Sequence, residues 1–265
     1  MQTFNYAKAT SLADAVTRLK ASPDGRALAG GMTLLPTMKL RLAQPADVVD
    51  LSGLVELRGI KRHGDRLTIG AMTRHAEVAA SADVRSAIPA LVTLAGSIGD
   101  SQVRNRGTLG GSIAGNDPAA DYPAAVLGLD AVVHTDRRAI PAGSFFTGMF
   151  STALATGELI KAIEFRIPKR AGYAKVPSPA SRYALVGVLV ADFGSEVHLA
   201  VTGAGPSVFR IPAFESALKK HFAPESLDGL AVPETDLNHD IHASAAYRAH
   251  LVGVMARRAV AAAGR

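Results

Sequence analysis

The sequence predicts an α+β protein folded into two or three lobes. Helix-period and strand-period segments follow one another irregularly over 265 residues, without regular βα alternation and without an internal repeat. Apolar residues make up 48% of the chain and charged residues 20%, the balance of a protein with a real core, which excludes the disordered and fibrous classes. Residues 172–181, with Pro177 and Pro179, interrupt the periodic segments and predict a boundary before the last part of the chain.

The elements follow in order. Phe4 and Tyr6 open a short strand. Residues 11–20 form an amphipathic helix, because Leu12, Val16 and Leu19 recur at helical spacing and Ser11 can cap it, with Asp14 three residues on. Pro23-Asp24-Gly25 turns the chain into a strand at 26–29 that runs into Gly30-Gly31. A helix at 33–40 and a strand at 47–51 complete a βαβ-like first unit. The second unit, 56–168, opens on a hairpin with strands at 57–62 and 67–70 about His63-Gly64-Asp65. Val84, Ile88, Leu91, Ala95 and Ile98 share one face of a single helix over 84–98. The Gly-rich segment 107–115, read as strand-like, leads to a helix at 118–129, and strands at 131–135 and 159–167 close the unit. The third unit has strands at 183–191 and 196–201 about Asp192-Phe193-Gly194-Ser195, then a final helix with Tyr247, Leu251 and Val254 aligned.

Composition narrows the function. There is no cysteine, which removes a disulfide scaffold, a thiol nucleophile, a Cys-ligated zinc and any self-contained iron–sulfur cluster. The start, MQTFNYAKAT, lacks the apolar core of a signal peptide, and the longest apolar run, ALVGVLVA at 184–191, is far short of the ~18 residues of a membrane span. The expectation is a soluble, cytoplasmic protein. Lys and Arg total 29 against 23 Asp and Glu, a net charge of +6. The cations are scattered in pairs and there is no Trp, so stacking platforms for single-stranded nucleic acid are scarce and a solvated surface or a protein-docking face is favoured.

Two glycine pairs carry the chemistry: Gly30-Gly31, followed by Thr33, and Gly110-Gly111, followed by Ser112. Glycine admits positive φ and close backbone approach, so successive N–H groups can form an anion-binding nest, assisted by a helix starting just after Gly31. Two such turns facing one cleft could hold a pyrophosphate. Neither segment matches G-x-G-x-x-G or the P-loop. Residues 110–114 (GGSIA) nearly match a nucleophile elbow, which would make Ser112 a nucleophile with Asp121 as acid and His134 or His198 as base, but the surrounding pattern lacks the sheet that this motif needs. His239 and His242 flank Asp240 and read better as a polar turn into the last helix than as metal ligands.

Longer words are more specific. AGGMTLLPTMKLRLAQPADVVDL, IGDSQVRNRGTLGGSIAGNDPAADYPAAVLGLDA, and FFTGMF followed by GELIKAIEF resemble, in this order, the FAD-binding medium subunit of molybdenum hydroxylases, the group containing bacterial carbon monoxide dehydrogenase and xanthine dehydrogenase. The resemblance runs from Phe4 to the last helix. It implies an α+β fold with a two-lobed FAD-binding domain of the molybdopterin-dehydrogenase type at 1–170 (lobes 1–55 and 56–170) and a smaller α/β C-terminal domain at 171–265. It also implies non-covalent FAD.

The resemblance places residues around that cofactor. Leu28, Ala29, Gly30, Gly31, Met32, Thr33, Leu34 and Leu35 would wrap the pyrophosphate. Thr108, Gly110, Gly111 and Ser112 would grip the same phosphates and the ribityl chain, with Gly115 near the adenosine end. Asp121 would accept from cofactor hydroxyls. Ile98 falls beside the flavin ring, and Ile160 beside either its dimethylbenzene part or the adenine. Lys175 matches a lysine at the flavin's polar edge, and Tyr183 an aromatic leaning over the ring. Met32, Pro177 and Pro179 depart from residues common in the family. The implied function is electron transfer from iron–sulfur clusters to an external acceptor. The clusters and the molybdopterin would belong to a small and a large partner subunit, in a heterotrimer or a dimer of heterotrimers. The alternative is a stand-alone FAD oxidoreductase; a nucleotide-binding module is favoured only by the basic charge.

Overall fold

The computed structural model describes residues 1–263. The first lobe contains β1 (Asn5–Lys8), α1 (Leu12–Ala21), β2 (Arg26–Leu28), α2 (Leu34–Lys39) and β3 (Asp47–Asp50). Its strands are parallel in the order β1-β3-β2, as the βαβ-like pattern requires. Ser11 caps α1 by accepting from the Asp14 N–H, and Asp14 answers by accepting from Thr10 N and the Arg18 guanidinium. Ala15, Leu19, Val49, Leu51 and Leu54 form its small core.

The second lobe runs through β4 (Ile60–His63), β5 (Arg66–Gly70), α3 (His75–Ala80), α4 (Ala82–Ala87), α5 (Pro89–Gly96), α6 (Ser101–Arg106), α7 (Leu109–Gly115), α8 (Tyr122–Gly128), β6 (Val132–Thr135), β7 (Ala139–Pro141), α9 (Ala142–Phe145), β8 (Phe146–Gly148), β9 (Ser151–Thr152) and β10 (Ile160–Arg166). An antiparallel sheet in the order β4-β5-β10-β6-β7 backs this group, with β8 and β9 paired separately. The third lobe has β11 (Arg170–Pro177), β12 (Ala184–Asp192), β13 (Val197–Thr202), β14 (Phe209–Arg210), α10 (Pro212–Lys220) and α11 (Ala245–Ala263), its strands antiparallel in chain order.

Several expectations are corrected. The single helix over 84–98 is two, α4 and α5, because Pro89 has no N–H to continue the ladder and holds Ile88 out of the helical region at φ −143 and ψ 78. Val84, Ile88, Leu91 and Ala95 are nevertheless all buried. The helix expected from 118 starts at Tyr122, since Pro118, Ala119 and Ala120 present their carbonyls to Gly203 N, Ala184 N and the Thr202 hydroxyl of the third lobe. The stretch 172–181 is mostly strand rather than connector. There α11 packs so closely on β11 that a Cβ at Gly172 would strike Ala259 O and come within 2.8 Å of Ala263 N. On α11, Leu251 is buried but Tyr247 is 49% exposed, and the inward positions near it belong to Arg248 and Val252.

The ALVGVLVA run is legible once its setting is known. Val186, Val188 and Val190 face α11 and α10, while Leu189 and Ala191 join the core of the second lobe under α5 and α8. A strand covered on both faces has no reason to alternate with polar residues. Among the described residues, no helix is long and apolar enough to cross a membrane.

Candidate functional site

All three lobes contribute to one cleft of about 560 Å³. The first supplies the loop between β2 and α2, the second the α6–α7 junction and the start of β10, and the third Ser181, Arg182 and Tyr183 from the β11–β12 turn. Ala29, Gly30, Gly31, Met32, Thr33 and Leu34 line it, as do Thr108, Gly110, Gly111, Ser112, Gly115, Asp121, Ile98, Ile160 and Tyr183. Leu28, Leu35 and Lys175 do not.

The two glycine pairs meet across this cleft but are built differently. Gly31 sits at φ +75, a conformation that L side chains rarely adopt. The chain then turns into α2 so that, among the described residues, the N–H groups of Gly30, Gly31, Met32 and Thr33 have no hydrogen-bond acceptor. This is a run of free donors of the kind that binds an anion. Leu28 and Leu35 lie behind it: a Cβ on Gly31 would come within 3.3 Å of Leu28 Cδ1 and 2.9 Å of Leu35 Cδ1. They support the loop from below instead of touching the cleft.

The second pair is not strand-like and is not a nest. It occupies the first turn of α7, whose N-cap Thr108 accepts from Gly111 N at 3.2 Å, while Gly110 N donates to Ala71 O at 2.8 Å. Its donors are therefore engaged. What the glycines supply is room: a Cβ on Gly110 would stand 2.5 Å from Ala71 Cβ, and one on Gly111 3.3 Å from Ala29 Cβ. The first pair answers in kind, since a Cβ on Gly30 would strike Arg106 O and approach Gly107 Cα to 2.7 Å. Glycine lets the two lobes close backbone to backbone.

Lys175 is displaced from its expected role. Its ammonium donates to Asp121 Oδ1 at 2.8 Å and to Arg182 O at 3.0 Å, behind the cleft wall. Tyr173 also donates to that Asp121 oxygen, at 2.5 Å. Burial pushes the Asp121 carboxyl up, opposed by Lys175 and Tyr173. The lysine charge is spent on Asp121, and Asp121 keeps only Oδ2 for any further donor. Tyr183 stands at the mouth, 41% exposed, with its hydroxyl toward Thr33; burial first and then Asp117 and Asp121 raise its pKa. His134 and His198 are absent from the cleft, paired with Glu164 and Glu196 on two different sheets, so neither histidine expected as a base stands beside Ser112. Asp240 accepts from His242 N and Ala243 N, which makes the Asn238–Asp240 region a polar turn.

Among the lining residues that sequence reasoning missed are His75, Glu158 and Phe150. His75 is buried, its pKa lowered to about 4 by burial and then by Arg104, so the imidazole is neutral at pH 7. Its Nδ1 and the nearby Tyr122 hydroxyl are buried without partners, and a lone histidine at a helix start gives no signal of this in sequence. Glu158 accepts from the Thr135 hydroxyl, Ala155 N and Arg138, which together hold its carboxyl near about 2. Phe150, in the FFTGMF word, sits at the rim with φ 53 and is 63% exposed. Its N–H donates to Asn116 O, and Asn116 holds the same loop through Gly148 O and Ser151 O, both at 2.7 Å.

The donor set fits a dinucleotide flavin: free N–H groups for a pyrophosphate, glycines whose Cβ atoms would crowd the cleft walls, and apolar walls from Ile98, Ile160 and Leu154. Comparison with known proteins agrees. A family model described as the FAD binding domain in molybdopterin dehydrogenase matches residues 2–170. The chain is 35% identical to the nicotine 6-hydroxylase medium subunit of Paenarthrobacter nicotinovorans, over 98% of this chain and 96% of that one. It is 30% identical to the xanthine dehydrogenase FAD-binding subunit of Escherichia coli O157:H7, over 98% and 97%. Its fold is similar to a chain of the carbon monoxide dehydrogenase of Hydrogenophaga pseudoflava that lacks the Mo-pyranopterin moiety of its molybdenum cofactor, with a TM-score of 0.89, 33% identity and coverage of 99% and 98%.

Proposed function

The chain belongs to the family of FAD-binding domains in molybdopterin dehydrogenases, and from that premise we propose that it is the FAD-carrying electron-transfer subunit of a molybdenum hydroxylase complex. Relatives are named medium chains, so this chain is one part of a multi-subunit oxidoreductase. With no cysteine it cannot ligate iron–sulfur clusters, and these, with the molybdopterin, reside on a small and a large partner. We take the assembly to be a heterotrimer or a dimer of heterotrimers, and the FAD-binding part to be 1–170 with 171–265 as a C-terminal domain.

When bound, FAD supplies reversible electron uptake between the partner's clusters and an external acceptor. The residues of this chain hold it and set its surroundings. The N–H groups of Gly30, Gly31, Met32 and Thr33 would bind the pyrophosphate, and Thr108, Ser112 and Gly115 would line its opposite side. Ile98 and Ile160 would exclude water from the rings, and Tyr183 would cover the exposed face and limit entry of acceptors. Asp121, steadied by Lys175 and Tyr173, would accept from a cofactor hydroxyl through its free oxygen. No side chain of the cleft need make or break a substrate bond.

The observation that carries this reading is the run of four unengaged N–H groups, Gly30 to Thr33, in a loop that lines one cleft together with the second glycine pair. The test is the visible spectrum of the purified chain after incubation with FAD. Flavin bands that survive desalting, and that disappear when the protein is precipitated with acid, are the expected result. A chain that retains no flavin, or one that keeps it after denaturation, overturns the non-covalent cradle.

A further inference from the structure

A second concave site lies at the far end of the C-terminal sheet. It encloses about 440 Å³, and its cations are Lys169, Arg170, Lys219 and Lys220, joined by His221. They come from the start of β11 and the end of α10. One carboxylate, Asp192, shares the site, and it is already committed: it accepts from Arg170 Nε at 2.9 Å and from Gly194 N at 2.7 Å. The Arg170 guanidinium also lies over the Phe222 ring, 3.9 Å from its centroid, which fixes it as a floor. No ion pair among the described residues involves Lys169, Lys219 or Lys220.

We propose that this pocket binds a small phosphate-bearing anion of several negative charges. Lys219 and Lys220 end α10 and are partly accounted for by the negative end of that helix. Lys169 is not: it belongs to another element, yet its side chain is brought to the same pocket. Gly194, at φ +91, makes this possible, because a Cβ there would strike the Lys169 ammonium and stand 2.6 Å from its Cε. Lys169, Lys219 and Lys220 are exposed and make no ion pair among the described residues, so all three charges are available to a multiply charged anion. The volume lies in the range of small-ligand pockets. Lysines act there as rotatable point charges suited to phosphate oxygens. Along β11, Pro177 pairs at the cleft end and Arg170 at the pocket end, so about 23 Å of strand separates this site from the FAD cleft. The pocket is therefore separate from the flavin cleft.

The experiment is isothermal titration of the flavin-loaded protein with sodium tripolyphosphate at low ionic strength. We expect saturable binding of one anion per chain, weakened roughly tenfold or more in Lys169→Gln/Lys219→Gln. Lys220→Gln alone should weaken it less, and Lys61→Gln, an exposed change on β4, should leave it unaltered. Flavin absorbance should be the same in every variant. The proposal is overturned if binding does not saturate or if Lys61→Gln weakens it as much as the pocket changes do. It is also overturned if an oligo-aspartate peptide of equal charge binds as tightly. A protein that fails to hold flavin yet keeps Lys169-dependent tripolyphosphate binding would sink the cleft reading and leave this one standing.

Discussion

The two glycine pairs look alike in sequence and do different physical work. Gly30-Gly31 belongs to a loop: Gly31 takes φ +75, and four successive N–H groups are left without acceptors. Gly110-Gly111 belongs to the first turn of α7, with ordinary helical backbone and N–H groups already bonded to Ala71 and Thr108. Gly31 is needed for what its backbone presents, whereas Gly30, Gly110 and Gly111 are needed for the side chains they lack. A glycine pair thus marks close approach, and only its neighbours' hydrogen bonds say whether the approach is to a ligand or to another part of the fold.

The comparison can be broken most decisively at Gly110. Gly110→Val puts a Cβ 2.5 Å from Ala71 Cβ and 2.8 Å from Ala71 O, in a fully packed place. We expect a loss of about 3 kcal/mol and a Tm lower by roughly 6–12 °C, read by thermal melting with flavin present in excess. An unchanged Tm with flavin lost would make this pair a ligand contact after all.

A smaller and more selective effect separates the pairs. Gly31→Ala forces an L residue to positive φ at a cost of about 1–2 kcal/mol, and relaxing that strain turns the N–H groups away. The expected outcome is a folded protein whose FAD affinity falls at least roughly tenfold by fluorescence titration. Gly111→Ala meets only Thr108 Oγ1 at 2.9 Å and Ala29 Cβ at 3.3 Å, and a gain in helix propensity of up to ~1 kcal/mol offsets the crowding. Its FAD affinity should change little. If Gly111→Ala loses flavin and Gly31→Ala keeps it, the assignment is reversed.

The smallest effect tests the wall that neither pair builds. The Glu158 carboxyl is held at about 2, well below the usual 4.5 of a glutamate, by Arg138, Ala155 N and Thr135. A depressed carboxylate stabilises the folded state fully above its unfolded value, and the contribution is lost as pH falls from about 4.5 towards 2. Glu158→Gln should lower the Tm at pH 7 by an amount matching about 1 kcal/mol. It should also flatten the decline of Tm between pH 5 and 3 relative to the parent. Parallel pH profiles for the two proteins would show that this carboxylate does not brace the cleft.

Much of the fold could be read locally. The Ser11 cap and the His63-Gly64-Asp65 hairpin depend on residues a few positions apart, the parallel β1-β3-β2 unit follows from the order of its short elements, and all are present. The misreadings share a cause: a long-range partner outweighed the local pattern. Residues 118–120 would have continued α8, but the start of β12 and the end of β13 in the third lobe take their carbonyls. Pro89 is the exception, a local breaker overlooked because the apolar spacing across it remained regular. In the cleft, the two glycine words stood out because repeated glycine beside hydroxyl residues is unusual. His75 and Glu158 carried no comparable signal, since a single histidine or glutamate acquires meaning only from what surrounds it.

The sequence alone determined the class of fold, the absence of thiol chemistry, the family resemblance and the two segments that meet at the cleft. The first two follow from composition and short-range periodicity, and the other two from the glycine pairs and the longer motif words that carry the resemblance, all of which a linear chain carries in full. Tertiary structure alone decided that Lys175 pairs with Asp121 instead of facing the cleft, and that Leu28 and Leu35 pack behind the Gly31 loop. It also decided which glycine pair has N–H groups without an acceptor in the protein. Charge, burial and hydrogen-bond satisfaction are properties of pairs of atoms in space, and the partners here lie as far apart in the chain as Asp121 and Lys175.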